Sequence, residues 1–192
     1  MPAQAIELEC PGCASPISLD TKVCPYCHRP IVISDMDMIS GFSPLDLNKQ
    51  IFAYQKAASQ NPDSRELAQS EAFCYLKLGR YDDAINSFTK ALEGNFDNAD
   101  TYLYAAVALL RGKRPFLSSR ETINKIVEYI NAANMIEPKG IYYYFLGFVK
   151  QDYFERKYLR NLPSSQECLA KASEFGFSDA DVKTLNEMMG LQ

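Results

Sequence analysis

The chain has no tryptophan and a single histidine, and it has no excess of bases. Twenty Lys and Arg stand against 24 Asp and Glu, for a net charge of −4 and a pI near 5.1. Proteins whose main work is neutralising phosphates need clustered bases, so nucleic acid is not expected as the principal partner. Long hydrophobic runs are missing as well. The longest strongly apolar stretch, Tyr102 to Leu110, is nine residues, where a bilayer span takes about 20. Met1 to Glu7 has neither a basic start nor an apolar run, so no secretory signal is read and the expected address is cytoplasmic. No Gly-rich phosphate loop occurs, and the one histidine, His28, stands beside a cysteine, so no enzyme is expected. What remains is a chain of 192 residues, 47% hydrophobic, enough for one compact helical domain and a minor module.

Four of the six cysteines lie in the first 27 residues, as Cys10-Pro11-Gly12-Cys13 and Cys24-Pro25-Tyr26-Cys27. Each pair can wrap one edge of a metal in a tight turn, and two facing turns supply four thiolates in a tetrahedron, which suits one structural Zn²⁺. A segment of about 30 residues cannot bury enough apolar surface to fold alone, whereas structural zinc supplies roughly 10–16 kcal/mol at neutral pH. Four thiolates leave no open position, which excludes a catalytic zinc. Cys24 to Cys27 alone looks like a glutaredoxin redox motif, but the surrounding βαβ pattern is absent. Disulfides do not suit the cytoplasmic address, and iron in a rubredoxin-like site is the remaining alternative. His28 reads as a neighbour of the site rather than a ligand.

The two Cys-Pro-x-Cys pairs followed by Ile31-Val32-Ile33 resemble the short zinc ribbons found at the ends of many bacterial proteins, over residues 8 to 33. Over residues 1–33, Glu7, Glu9 and Asp20 outnumber Lys22 and Arg29, and the thiolates add negative charge, so a docking knob or rigid cap is expected rather than a nucleic-acid module. Residues 34–43 read as a linker. Asp35 and Asp37 are not followed by further oxygen ligands at calcium-loop spacing, and Met36, Met38, Ile39 and Phe42 suggest packing on the chain downstream.

From Ser43 the chain reads as helices. Ser43 caps, Pro44 suits the first helical position, and Leu47, Ile51, Tyr54 and Ala57 recur at helical spacing up to Asn61-Pro62. Tyr54, Ala57 and Pro62 are followed 34 residues later by Phe88, Ala91 and Phe96. That spacing, and the run Gly79 to Leu92, resemble tetratricopeptide repeats. Ala133 and Pro138, then Ala172 and Phe177, repeat the marks after insertions at Gly112 to Ser119 and near Asn161 to Ser165. Ser118 with Glu121 and Ser164 with Glu167 look like capping boxes that restart the helices, and Ser178 begins a closing helix. Cys74 and Cys168 read as small core residues.

The expected fold is therefore mainly α: a tetratricopeptide-like array of helical hairpins, an α-solenoid, preceded by a small β zinc ribbon. The expected organisation is ribbon 1–33, linker 34–43 and helical repeats 44–192. The resemblance implies binding of a partner peptide or helix on the first helix of each pair. It places that groove at Gln69, Phe73, Leu76 and Lys77, then Leu103, Val107, Leu110 and Arg111, then Tyr144, Phe148 and Gln151. Family members that clamp a C-terminal carboxylate use Lys, Asn and Arg, a set these positions do not supply. The expected function is a non-enzymatic scaffold or adaptor. An alternative is a nucleic-acid- or phosphate-linked factor using the loop with Arg111, Lys113, Arg114 and Arg120, which holds four bases and no acid.

Overall fold

The computed structural model describes residues 7–10, 12–18, 21–93 and 98–190. Pro11, Asp20 and Phe96, each a mark in the sequence pattern, lie outside them, as does the side chain of Glu7. The chain divides into two compact units, 1–95 and 96–192. Its fold class is mainly α, built of tetratricopeptide-like helix pairs.

The first unit begins with strands β1 (Glu7–Glu9) and β2 (Pro16–Ser18), antiparallel with Leu8 opposite Ile17. Three helices come next: α1 (Pro44–Ala58), α2 (Arg65–Lys77) and α3 (Tyr81–Leu92). Helix α1 starts where the sequence places it, with Ser43 and Asp46 forming a reciprocal capping box and Pro44 at the first position. The α2–α3 turn is set by Gly79 at φ 69°, with Arg80 N–H on the Tyr75 carbonyl and Gly79 N–H on that of Leu76, both at 2.9 Å. That bond pattern needs a left-handed residue, which glycine supplies without a Cβ penalty. Phe73 meets Phe88 edge to face at 5.5 Å, the aromatic filling between the two helices that the repeat pattern implies.

The stretch between the cysteine turns and α1 is seated. Ile31, Ile33 and Ile39 are fully buried, and Met36 nearly so. Tyr54 Oη donates to the Ile31 carbonyl at 2.9 Å, Gln69 Nε2 donates to the Ile33 carbonyl at 3.1 Å, and Ile33 N–H donates to Ser70 Oγ at 3.0 Å. The composition reads residues 34–43 as a linker; the structure ties the chain entering it to α1 and α2.

The second unit holds α4 (Ala99–Leu109), α5 (Arg120–Ile136), α6 (Gly140–Val149), α7 (Ser165–Phe175) and α8 (Asp179–Met188). Helix α4 pairs with α5, and α6 with α7. Ser164 with Glu167 and Ser178 with Asp181 form the capping boxes that open α7 and α8. The box expected at Ser118 and Glu121 is displaced: the cap is Ser119, whose hydroxyl accepts from Thr122 N–H. The 3₁₀ turn Pro115–Leu117, with Ser118 N–H on the Pro115 carbonyl, uses Ser118 to end itself, and so the helix starts one residue later. Cys74 and Cys168 are both fully buried.

Helices α6 and α7 approach most closely where Gly140 faces the carbonyls of Gly176 and Ala172. A Cβ on Gly140 would collide with the Gly176 oxygen and lie 2.6 Å from that of Ala172. Both obstacles are backbone, so neither can rotate away. Gly140→Ala is expected to cost about 2 kcal/mol in urea unfolding, whereas Gly41→Ala, with nothing within 4 Å of the added carbon, stays near neutral. Equal effects at the two positions would refute the close-approach account.

Candidate functional site

Cysteines 10, 13, 24 and 27 converge, with all four sulfurs within 4.8 Å of one another. Cys10 Sγ lies 3.4 Å from Cys27 Sγ, and Cys13 Sγ 3.7 Å from Cys24 Sγ. A disulfide needs about 2.05 Å, and all six cysteines are unbridged. Tetrahedral bonds of about 2.3 Å give sulfur–sulfur edges of about 3.8 Å, close to the spacing seen. The four side chains therefore fit a metal ion.

The two pairs are built alike. Cys10 N–H donates to the Ser15 carbonyl at 2.9 Å and Ala14 N–H to that of Cys10 at 2.8 Å; Cys24 N–H donates to Arg29 at 2.8 Å and His28 N–H to Cys24 at 3.0 Å. Ala14 and His28, each following the second cysteine of its pair, have φ of 59° and 58°. Sequence reasoning missed this role because neither residue is glycine; the only signal was that the two pairs have the same internal spacing. Gly12 permits a close approach, since a Cβ there would sit 2.6 Å from Arg29 Cδ and 3.0 Å from Cys27 Sγ and the Arg29 side chain would have to shift. Hydrogen bonding from the Ser15 hydroxyl, then from its backbone, lowers the Cys13 thiol to about 6, while burial pushes Cys10 up to about 12.

The cysteine-bearing segment is tied to α1 by ion pairs. Arg29 Nη1 meets Asp46 Oδ1 at 2.8 Å and Lys56 Nζ meets Glu9 Oε1 at 2.9 Å. Hydrogen bonding from Ser43, then the Arg29 guanidinium, lowers the Asp46 carboxyl to about 2. Beside these pairs lies an open, largely apolar cleft of about 610 Å³ between the first cysteine turn and α1, lined by Ala14, Pro16, Leu45, Lys49, Phe52 and Ala57 among others. Leu45 and Phe52 are 66% and 70% exposed there.

The expected groove residues are distributed unevenly. Gln69, Phe73, Leu76, Leu103, Val107 and Leu110 are buried; Lys77, Tyr144 and Phe148 are half-buried; Arg111 and Gln151 are exposed. On α2 the physical reason is visible: Gln69 binds the Ile33 carbonyl and Phe73 packs on Phe88. Tyr144 packs on Phe177 at 5.1 Å. In the basic loop, Lys113, Arg114 and Arg120 are exposed, with Arg114 paired to Asp152 at 3.2 Å and Arg120 over the Phe154 ring at 5.3 Å. Sequence reading missed Leu45 and Phe52, which share one helical face seven residues apart, and missed Asp152.

Taken together, fold and site define a class: helix-pair proteins carrying a four-sulfur centre able to hold a metal. No protein-family model and no curated protein matches the chain. Among solved structures, it is similar to the MamA RS-1 ArsTM double mutant, at 17% identity over 73% of this chain and 70% of that one, with a TM-score of 0.56. It is also similar to MamA MSR-1 C2, at 14% identity over 73% and 82%, with a TM-score of 0.51. At such identities the likeness shows the fold alone.

Two outcomes test the centre. Purified protein is expected to carry one equivalent of metal by elemental analysis, and Cys24→Ser to carry less than about a tenth of that; full retention would dissolve the site. Because the Asp46 carboxyl is depressed, its pairing stabilises the fold above the ordinary carboxylate range and is lost as pH falls through about 2. Arg29→Met should raise that midpoint, seen by carbon NMR, yet leave it below the ordinary value because Ser43 persists. An unchanged midpoint would remove Arg29 from the account.

Proposed function

We propose that the chain is a non-enzymatic protein-interaction adaptor, cytoplasmic, in which a structural zinc held by Cys10, Cys13, Cys24 and Cys27 fixes a docking face on the first unit. Zinc is the reading that an all-sulfur tetrahedron with no open position supports. It keeps the ribbon folded and the chain's own residues do the binding. The unbridged cysteines suit a reducing compartment.

The observation that carries the reading is the cleft of about 610 Å³ beside α1. Several expected groove residues are buried, but here two large apolar side chains stand exposed next to a turn of the four-cysteine cluster. Such a face accepts an amphipathic partner helix that covers Leu45 and Phe52 and sets an acidic residue opposite Lys49. Within the first unit, Lys77 on α2 is the one expected groove residue that is not buried, and it offers a further contact.

Affinity capture with the intact protein, with Leu45→Glu plus Phe52→Glu and with Phe148→Glu tests it, followed by titration of the purified partner. The double variant is expected to lose affinity at least about tenfold, with metal content and melting temperature unchanged. Undiminished binding by that variant would reject the cleft as the docking face. A visible absorption band from the bound metal would replace zinc by iron.

A further inference from the structure

The two inter-helix insertions of the second unit are the part of the molecule that the adaptor reading leaves without a role. Segments 111–120 and 156–163 carry seven bases and no acid, in a chain whose net charge is −4. The structure draws them together on one buried carboxylate. Asp152 accepts from Phe116 N–H at 2.8 Å and pairs with Arg114 at 3.2 Å and with Arg156 at 2.8 Å. Arg156 and Lys157 also lie over the Phe116 ring, at 4.4 and 4.9 Å. Two segments far apart in the chain are thus joined at Asp152, and Lys113, Arg120 and Arg160 on those segments are exposed.

The same two insertions hold apolar side chains out in water. Leu117 is 68% exposed, Tyr158 96% and Leu162 86%. Bases alone would read as solvated loop charge, and apolar tips alone as scattered surface residues; their coincidence on two joined loops selects for an occupant that is anionic and greasy at once.

We propose that this surface attaches the protein peripherally to an anionic lipid bilayer. Leu117, Tyr158 and Leu162 enter the headgroup region, and Lys113, Arg120 and Arg160 meet lipid phosphates. The leucines decide between partners. Nucleic acid would use the cations and could stack a base on Tyr158, but aliphatic tips contribute no stacking surface. An acidic peptide would meet the cations and leave the tips in water. The headgroup boundary accommodates all three, and a tyrosine ring with its polar tip suits that depth. No helix among the described residues is long and apolar enough to cross a membrane, which fits attachment at the surface.

Sedimentation of the full-length, metal-loaded protein with vesicles tests this. Phosphatidylcholine vesicles containing about 30% phosphatidylserine are expected to bind at least about tenfold more tightly than phosphatidylcholine alone, and to lose the protein at high salt. Lys113→Glu plus Arg160→Glu and, separately, Tyr158→Ser plus Leu162→Ser should each weaken binding about tenfold, with the melting temperature and helical signal unchanged. Absence of binding to the anionic vesicles would overturn the proposal. So would full binding by the Tyr158 and Leu162 variant, or tighter binding to a single-stranded oligonucleotide or an oligo-glutamate peptide than to the vesicles.

Discussion

Everything in the first unit depends on how α1 and α2 grip the backbone between Ile31 and Ile33. Three side chains do it: Tyr54 from α1, and Gln69 and Ser70 from α2. Each bond contributes about 1 kcal/mol net, and leaving a buried carbonyl unpaired costs about 1–3 kcal/mol. Burying Ile31, Ile33 and Ile39 completely contributes more in total, about 1.5–3 kcal/mol for each side chain. The apolar term therefore supplies most of the attachment, and the hydrogen bonds set its register, since a slip of one residue would turn the isoleucines outward and strand the polar partners. The helix face that a repeat pattern offers to a ligand is here occupied by the chain's own upstream segment.

The cysteine cluster and this attachment depend on each other. Two strands of three residues each cannot hold the N-terminal segment in place. The two cysteine turns bring four sulfurs into one cluster able to hold a metal ion, and Ala14 and His28 hold left-handed backbone in closing them. Once gathered, the turns present Arg29 to Asp46, and β1 presents Glu9 to Lys56. Those exposed pairs contribute little by themselves. Both pairs join the cysteine-bearing segment to α1, and the cleft beside Leu45 and Phe52 lies next to them.

Most of the helical architecture was legible in the sequence because its signals are local. Caps at Ser43, Ser164 and Ser178, the glycine turn at Gly79 and the 34-residue spacing are each read from a few residues of sequence. Ser118 and Ser119 were not separable, since both can cap and only the 3₁₀ turn ahead of them chooses. The cysteine cluster was legible for the same local reason, its two pairs having one spacing. Burial on the first helices was not legible. Whether Phe73 or Gln69 faces a ligand or a neighbour depends on where residues 31–39 travel, and no periodicity within α2 encodes that path. Asp152 was equally hidden, because a lone acid in a helix looks like surface charge until the loop that it clamps arrives from 36 residues away.

The placement of the insertions explains how one small chain can carry separate surfaces. An insertion between the two helices of a pair lengthens a turn without entering the packed face, and the entropy of closing a longer loop grows only slowly with its length. The pairs α4–α5 and α6–α7 keep their cores, with Ile123, Ile126, Phe145 and Val149 fully buried, while the added residues accumulate charge and exposed apolar tips. Buried Asp152 converts that permissiveness into geometry. A carboxylate removed from water must be met by donors, and the backbone N–H of Phe116 and two guanidinium groups are the donors it finds. The cost of leaving that charge unmet holds two otherwise independent basic loops together, in a chain that is acidic as a whole.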